Sequence, residues 1–119
     1  ALGYARERIQ FGKPIGKFQG ISHKLADMQV EVDISRLLTY RLAWMLTQGT
    51  PDLKIAAITK LYATEAYKHV SDLGMQILGG YGYTMEYDMQ RHFRDSRVLT
   101  IGGGSSEIQR NIIAKSLGL

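Results

Sequence analysis

What most constrains the fold is a pair of long segments of helical periodicity that meet at one break, Gly49-Thr50-Pro51-Asp52. The first should begin at about Ser22, whose hydroxyl suits an N-cap, and end at Gly49, which tolerates the left-handed conformation just past a helix. Leu25, Met28, Val32, Thr39, Leu42 and Leu46 form one stripe on it, while Val30, Ile34, Leu37, Trp44 and Met45 lie mainly on another side. Such a helix is buried on two faces. One fits a bundle core, and the other needs a further helix or a second subunit. Thr50-Pro51-Asp52 then restarts the helix with a capping hydroxyl, a proline at the first helical position and an acid in the positive first turn. This second segment runs to about Leu78, with a core stripe of Ile58, Tyr62, Ala66, Val70, Leu73 and Ile77, and stops at Gly79-Gly80. So short a connection makes the two helices antiparallel neighbours, and at ~1.5 Å per residue each is roughly 40 Å long. The expected fold is therefore all-α, an up-and-down bundle, with no β-pattern of convincing length.

The flanking segments read as shorter pieces of the same plan. Residues 1–9 look like the tail of a helix whose beginning lies upstream, so the first helix of the bundle is expected to be truncated. Gln10–Gly20, with three glycines and a proline among Phe11 and Phe18, reads as a loop with aromatic anchors. Tyr81–Asp88 is an aromatic-rich loop whose tyrosines either stack a ligand or pack over the bundle end. A short helix over Met89–Ser96 carries Arg91, Arg94, Asp95 and Arg97, expected to form a salt-bridge network. Ser105–Leu117 forms the last helix, with Ile108, Ile112, Ile113 and Leu117 inward and Gly118 as its terminator.

At 119 residues the chain is one domain, 1–119, small for a stand-alone enzyme with a large cofactor. It contains no cysteine, which excludes a disulfide framework, a thiol nucleophile and a cysteine-ligated metal, and its three scattered histidines suggest no metal site. No run approaches the ~18 apolar residues of a membrane span. The whole net charge of +4 sits in residues 1–24, where Arg6, Arg8, Lys13, Lys17 and Lys24 face Glu7 alone. A solvated basic face or an anionic ligand explains that clustering. A nucleic-acid-binding module is an alternative, but the excess is confined to one stretch and no such motif appears.

The feature richest in chemistry is Thr100-Ile101-Gly102-Gly103-Gly104-Ser105-Ser106-Glu107. Three glycines let a backbone approach a ligand closely, and a serine follows where a helix exposes its unpaired N–H groups. Taken alone, such a stretch is equally a flexible turn plus a cap.

Four blocks together carry a family resemblance: Arg8-x-Gln10-Phe11-Gly12-Lys13-Pro14-Ile15 with Phe18-Gln19; Gln76-Ile77-Leu78-Gly79-Gly80-x-Gly82-Tyr83; Arg94-Asp95; and Gly104-Ser105-Ser106-Glu107-Ile108-Gln109-Arg110. In this order and spacing, over essentially the whole chain, they resemble the C-terminal helical domain of the acyl-CoA dehydrogenases. The resemblance implies a four-helix bundle at the core of a homotetramer. The full-length enzyme would be FAD-dependent and would convert an acyl-CoA to its trans-2-enoyl product in fatty-acid or branched-chain amino-acid catabolism. Electrons would pass to an electron-transfer flavoprotein, in a bacterial cytoplasm or a mitochondrial matrix. Some FAD contacts would reach the cofactor of a neighbouring subunit. By the same resemblance Arg8 approaches the FAD pyrophosphate, and Gln10, Phe11, Gln19, Gln76, Gly79, Gly80, Ser105 and Glu107 border the cofactor, while Gly104 lies beside the substrate thioester. Where most of the family reads Tyr-Glu-Gly-Thr, this chain reads Gly102-Gly103-Gly104-Ser105, so the usual catalytic carboxylate is replaced by Gly103. A branch resembling the isovaleryl-CoA and long-chain acyl-CoA dehydrogenases places its base on the preceding long helix. That implies a Glu or Asp two or three turns before Ala1; Glu7, beside Arg8, is badly placed for the task. A non-catalytic relative, kept as an assembly domain, is the second alternative. On either reading the fragment is not a functional unit by itself.

Overall fold

The computed structural model describes residues 1–119 as an elongated helical bundle of 56 × 26 × 23 Å. The elements in order are α1 (Leu2–Glu7), β1 (Ile9–Gln10), β2 (Lys13–Pro14), a 3-10 turn (Ile15–Lys17), α2 (Gln19–Thr47), α3 (Leu53–Leu78), α4 (Gly80–Tyr83), α5 (Met89–Leu99) and α6 (Ser106–Ser116). The fold is all-α, as the periodicity predicts. No helix is long and apolar enough to cross a membrane.

Helix α3 is the axis of the molecule: α1, α2, α4, α5 and α6 all pack on it. Its buried residues accordingly fall on more than one face, Ile55, Ala57, Thr59, Ala66, Ser71, Gly74 and Ile77 among them. Gly74 lets α5 approach, because a Cβ there would lie 2.8 Å from the sulfur of Met89. At one end of the bundle, Ala5 of α1, Met28 of α2 and Ile77 and Leu78 of α3 form the tightest apolar cluster. Only 15 of the 119 residues are buried, and large apolar side chains stay exposed on several faces.

The helix boundaries correct the sequence reading in instructive ways. Helix α2 starts at Gln19, not Ser22: extended Phe18 occupies the cap position, and its carbonyl accepts the N–H groups of Ile21 and Ser22. Packing of Ile21 and Leu25 on the Ala5–Met28 cluster outweighs the weak helix propensity of Gly20. At the break, Thr50 closes α2, its hydroxyl donating to the Met45 carbonyl at 3.3 Å, while Asp52 caps α3 by accepting from the Ile55 N–H at 3.1 Å. Gly49 has the expected left-handed backbone, φ +68°.

The stripes also shift. The face of α2 turned to α3 runs through Met28, Glu31, Ser35, Leu38, Leu42 and Met45, so Met45 is inward while Val32, Thr39 and Leu46 are exposed. The second apolar face is real and uncovered: Val30, Ile34, Leu37, Tyr40 and Trp44 all lie exposed. In α6, Ser106 and Gln109 are buried and Ile108 and Leu117 face out, because the helix turns its polar edge toward the glycine loop. The short helix extends to Leu99, and its arginines do not form a network. Arg91 pairs with Asp88 at 3.2 Å, Arg94 donates to Gln90 and Arg97 to Thr100, each within one turn, and Asp95 has no ion pair. The tie between elements is instead Arg110 of α6, which grips both carboxylate oxygens of Glu65 on α3 at 2.7 and 2.9 Å.

Candidate functional site

The residues singled out in the sequence fall into two groups, one at each end of α3. The first gathers Arg8, Gln10, Phe11, Gln19, Gln76, Gly79 and Gly80. Ile9–Gln10 and Lys13–Pro14 form a minimal antiparallel hairpin, Ile9 opposite Pro14 and Gln10 opposite Lys13, where the sequence suggested only a loop. Its two-residue turn has positive φ at both positions, +51° at Phe11 and +79° at Gly12. That is the geometry tight hairpins prefer, but it is strained for a phenylalanine. Phe11 is 92% exposed, so it anchors no core; its ring meets only Phe18, edge-on at 6.1 Å, and Lys13 caps the Phe18 ring at 4.4 Å. A large apolar ring held out on a strained turn is spare binding surface.

Arg8 ends α1, and its guanidinium lies 5.4 Å from the centroid of the Tyr81 ring. Tyr81 in turn packs with Tyr4 and Tyr87 at centroid distances of 5.6–6.3 Å, so two of the three loop tyrosines cover the bundle end, while Tyr83 projects into solvent. Arg8, Gly80, Tyr81 and Thr84 border a shallow hollow of about 360 Å³. Gly79, with φ +60° and open space where a Cβ would stand, ends α3 and turns the chain into α4; Gln76 is exposed one turn earlier. Nearby, α2 begins with no side-chain acceptor on its first N–H groups, beside Lys17. A free helix N-terminus among Arg8, Lys13 and Lys17 makes this end attractive to an anion.

The second group is the glycine loop. Ser105 caps α6, its hydroxyl 3.5 Å from the Ile108 N–H, and the Ser105 hydroxyl together with the amide of Glu107 holds the Glu107 carboxyl below the usual carboxylate range. Gly103 and Gly104 have φ +66° and +88°. A Cβ on Gly103 would meet nothing within 4 Å, whereas one on Gly104 would lie 2.7 Å from Nε2 of Gln109. The carbonyls of the loop point inward: Gly104 O accepts from Lys60 at 2.6 Å and from Gln109 at 3.2 Å, and Gly103 O accepts from Gln109 at 3.5 Å. Since the carbonyl and N–H of a trans peptide point opposite ways, the N–H groups of Gly104 and Ser105 face outward. Neither finds a backbone acceptor. Beside the loop, Arg97, Thr100, Ser105 and Glu107 line a polar groove of about 880 Å³ between α3, α5 and α6.

Lys60, against the glycine loop, and Gly79, in the first group, are 19 residues apart along α3 and its cap, or ~28 Å at 1.5 Å per residue. The two groups thus lie apart on this chain. Lys60 and the clamping role of Gln109 escaped the sequence reading. The available signal for Lys60 was a lone charge within the most apolar stretch of α3, Ile55 to Leu61.

Fold and loop geometry together define the C-terminal helical domain of a flavoprotein oxidoreductase family. The chain belongs to the acyl-CoA dehydrogenases: the family model described as "Acyl-CoA dehydrogenase, C-terminal domain" matches residues 1–118. The short-chain specific acyl-CoA dehydrogenase of human mitochondria is 46% identical over 117 residues, which are 98% of this chain and 28% of that protein. Butyryl-CoA dehydrogenase from Megasphaera elsdenii superposes with a TM-score of 0.96 at 40% identity, over 99% of this chain and 31% of that one. PigA, solved as an FAD complex, gives 0.95 at 36% identity, over 99% and 31%. The chain therefore spans under a third of the length of these relatives.

Proposed function

We propose that this domain serves a full-length acyl-CoA dehydrogenase that oxidises an acyl-CoA thioester to the trans-2-enoyl-CoA and passes the electrons to an electron-transfer flavoprotein. The observation that carries the reading is the glycine loop, whose Gly104 and Ser105 N–H groups are turned outward and left without backbone acceptors. Donors fixed in that way suit a thioester carbonyl, because they stabilise negative charge that develops on its oxygen as the α-proton leaves. Such a proton is weakly acidic, and a positioned base contributes ~10²–10⁴-fold. Gly103 cannot supply that base. We place it as a Glu or Asp on an upstream continuation of α1. An apolar groove of about 400 Å³ between α2, α3 and α5, with Ala1 and Leu2 at its edge, gives that helix a seat.

The residues present fit FAD. At the bundle end Arg8, the open N-terminus of α2 and the Gly79-Gly80 turn suit a pyrophosphate, with Gln10, Phe11, Gln19 and Gln76 around it; a planar guanidinium reads phosphate better than an ammonium does. At the other end Ser105 and Glu107 offer polar contacts beside the thioester site. FAD, when bound, supplies the acceptor for the β-hydride. Two groups ~28 Å apart on one helix are most simply used by two cofactors, one of them belonging to a neighbouring subunit. The uncovered face of α2, Val30 to Trp44, supplies the homo-oligomer contact this requires. A bacterial cytoplasm and a mitochondrial matrix both suit such an enzyme.

The test is anaerobic titration of the full-length flavoprotein with saturated acyl-CoAs of graded chain length. Bleaching of the visible flavin band with release of the enoyl product is the expected result. A flavin-loaded protein that no acyl-CoA bleaches would favour the non-catalytic assembly role.

A further inference from the structure

We infer that Lys60 is a positioning residue that decides which way the glycine loop faces; the inference rests on the reading of that loop as the thioester site. The Lys60 ammonium donates to Leu99 O at 2.9 Å and to Gly104 O at 2.6 Å. No carboxylate stands within ion-pair distance of it, so carbonyl oxygens alone hold its charge. Leu99 O belongs to the last turn of α5, where unpaired carbonyls and the negative end of the helix dipole attract a cation. Gly104 O belongs to the peptide whose N–H is that of Ser105. One side chain on the central helix thereby ties both ends of the connection between α5 and α6.

The reason such a tie is needed lies in the glycines. Gly102, Gly103 and Gly104 have little steric preference between positive and negative φ, so the 103–104 and 104–105 peptides can rotate at small cost. The backbone bonds of the connection lie at its edges: Ile101 and Gly102 donate to Val98 O, and Ser106 donates to Thr100 O. Rotation of the 104–105 peptide would turn its carbonyl toward the substrate and bury the Ser105 N–H. Lys60 opposes it with a charge-assisted bond, about twice as strong as a neutral one. Gln109, buried and donating to the same oxygen, supplies the neutral half of the clamp. The ammonium also sits at the carbonyl end of that peptide and polarises its N–H toward the outer face.

The experiment compares Lys60→Met and Lys60→Arg in the full-length holoenzyme. Lys60→Met keeps the length and apolar stem of the side chain and removes both hydrogen bonds; it should lower kcat for flavin reduction by about 10- to 100-fold, the scale of an ångström-sized misplacement. Flavin stoichiometry should stay unchanged and KM should move far less than kcat. Lys60→Arg should recover part of the loss. Independently of turnover, hydrogen exchange at the Gly102 and Ser106 amides should accelerate in Lys60→Met. Unchanged exchange there, or unchanged kcat in an enzyme that turns over, would overturn the inference. If the wild-type flavoprotein reduces with no acyl-CoA, the proposed reaction falls while the exchange measurement still decides whether Lys60 holds the loop.

Discussion

Placing alanine in turn at Gly103 and Gly104 separates backbone strain from crowding within one loop. Both residues have left-handed φ, so an L side chain at either costs ~1–2 kcal/mol. At Gly103 the cost ends there, since an added Cβ meets open space. At Gly104 the Cβ would stand 2.7 Å from Nε2 of Gln109, and Gln109 must withdraw. It then loses its bond to Gly104 O, and a buried amide left without a partner costs ~1–3 kcal/mol more. Gly104→Ala should therefore destabilise by roughly 2–5 kcal/mol against 1–2 for Gly103→Ala. Urea midpoints of the two variants in the full-length protein read the difference. In addition, Gln109→Ala on the Gly104→Ala background should cost little more, because the bond is already broken. Equal losses for the two alanines would refute the assignment of Gln109 as the buried stop behind Gly104.

Three further outcomes follow from the same geometry. Arg8→Ala in the full-length protein should weaken flavin retention by about 1.5–3 kcal/mol, with Arg8→Lys recovering part and helix content unchanged; flavin fluorescence after dialysis measures it, and full retention would return Arg8 to a surface role. Trp44→Asp, at the C-terminal end of the exposed apolar face of α2, should shift the assembly toward smaller species by at least ~2 kcal/mol of association energy, and a sedimentation profile identical to wild type would remove that face from the interface. Burial, and then the negative charge of Asp95, raise the Tyr67 phenol above its ordinary value near 10.0, with Arg91 opposing. A raised folded pKa means that stabilisation by the protonated phenol is complete below pH 10 and is lost as pH rises through the folded value, so Tyr67→Phe should flatten the alkaline limb of the melting curve; an unchanged limb would contradict it.

On the proposed function, Gly103 stands where a catalytic carboxylate is expected. The position is open and left-handed. A side chain can therefore be accommodated there at the cost of strain.

Sequence alone determined what depends on local chemistry. Helical periodicity, the break at Gly49–Asp52 and the stop at Gly79 specify two long antiparallel helices, because hydrogen-bond closure and capping act within a few residues of chain. The glycine and glutamine motifs marked both ends of the bundle as candidate sites for the same reason: a glycine's conformational freedom and a serine's capping hydroxyl belong to the residue itself. Tertiary structure decided the rest. Which of two apolar stripes on α2 turns inward depends on the roll of the helix against α3, and period 3.6 alone leaves Met45 and Val32 interchangeable. The arginines of α5 found their partners within one turn, while Arg110 reached 45 residues back to Glu65. That the marked residues fall into two groups and not one follows from the 26-residue length of α3. And the partners of Lys60 could not be read from the sequence, because it reaches Leu99 and Gly104, 39 and 44 residues away, oxygens that only the packing of α5 and α6 against α3 brings within reach.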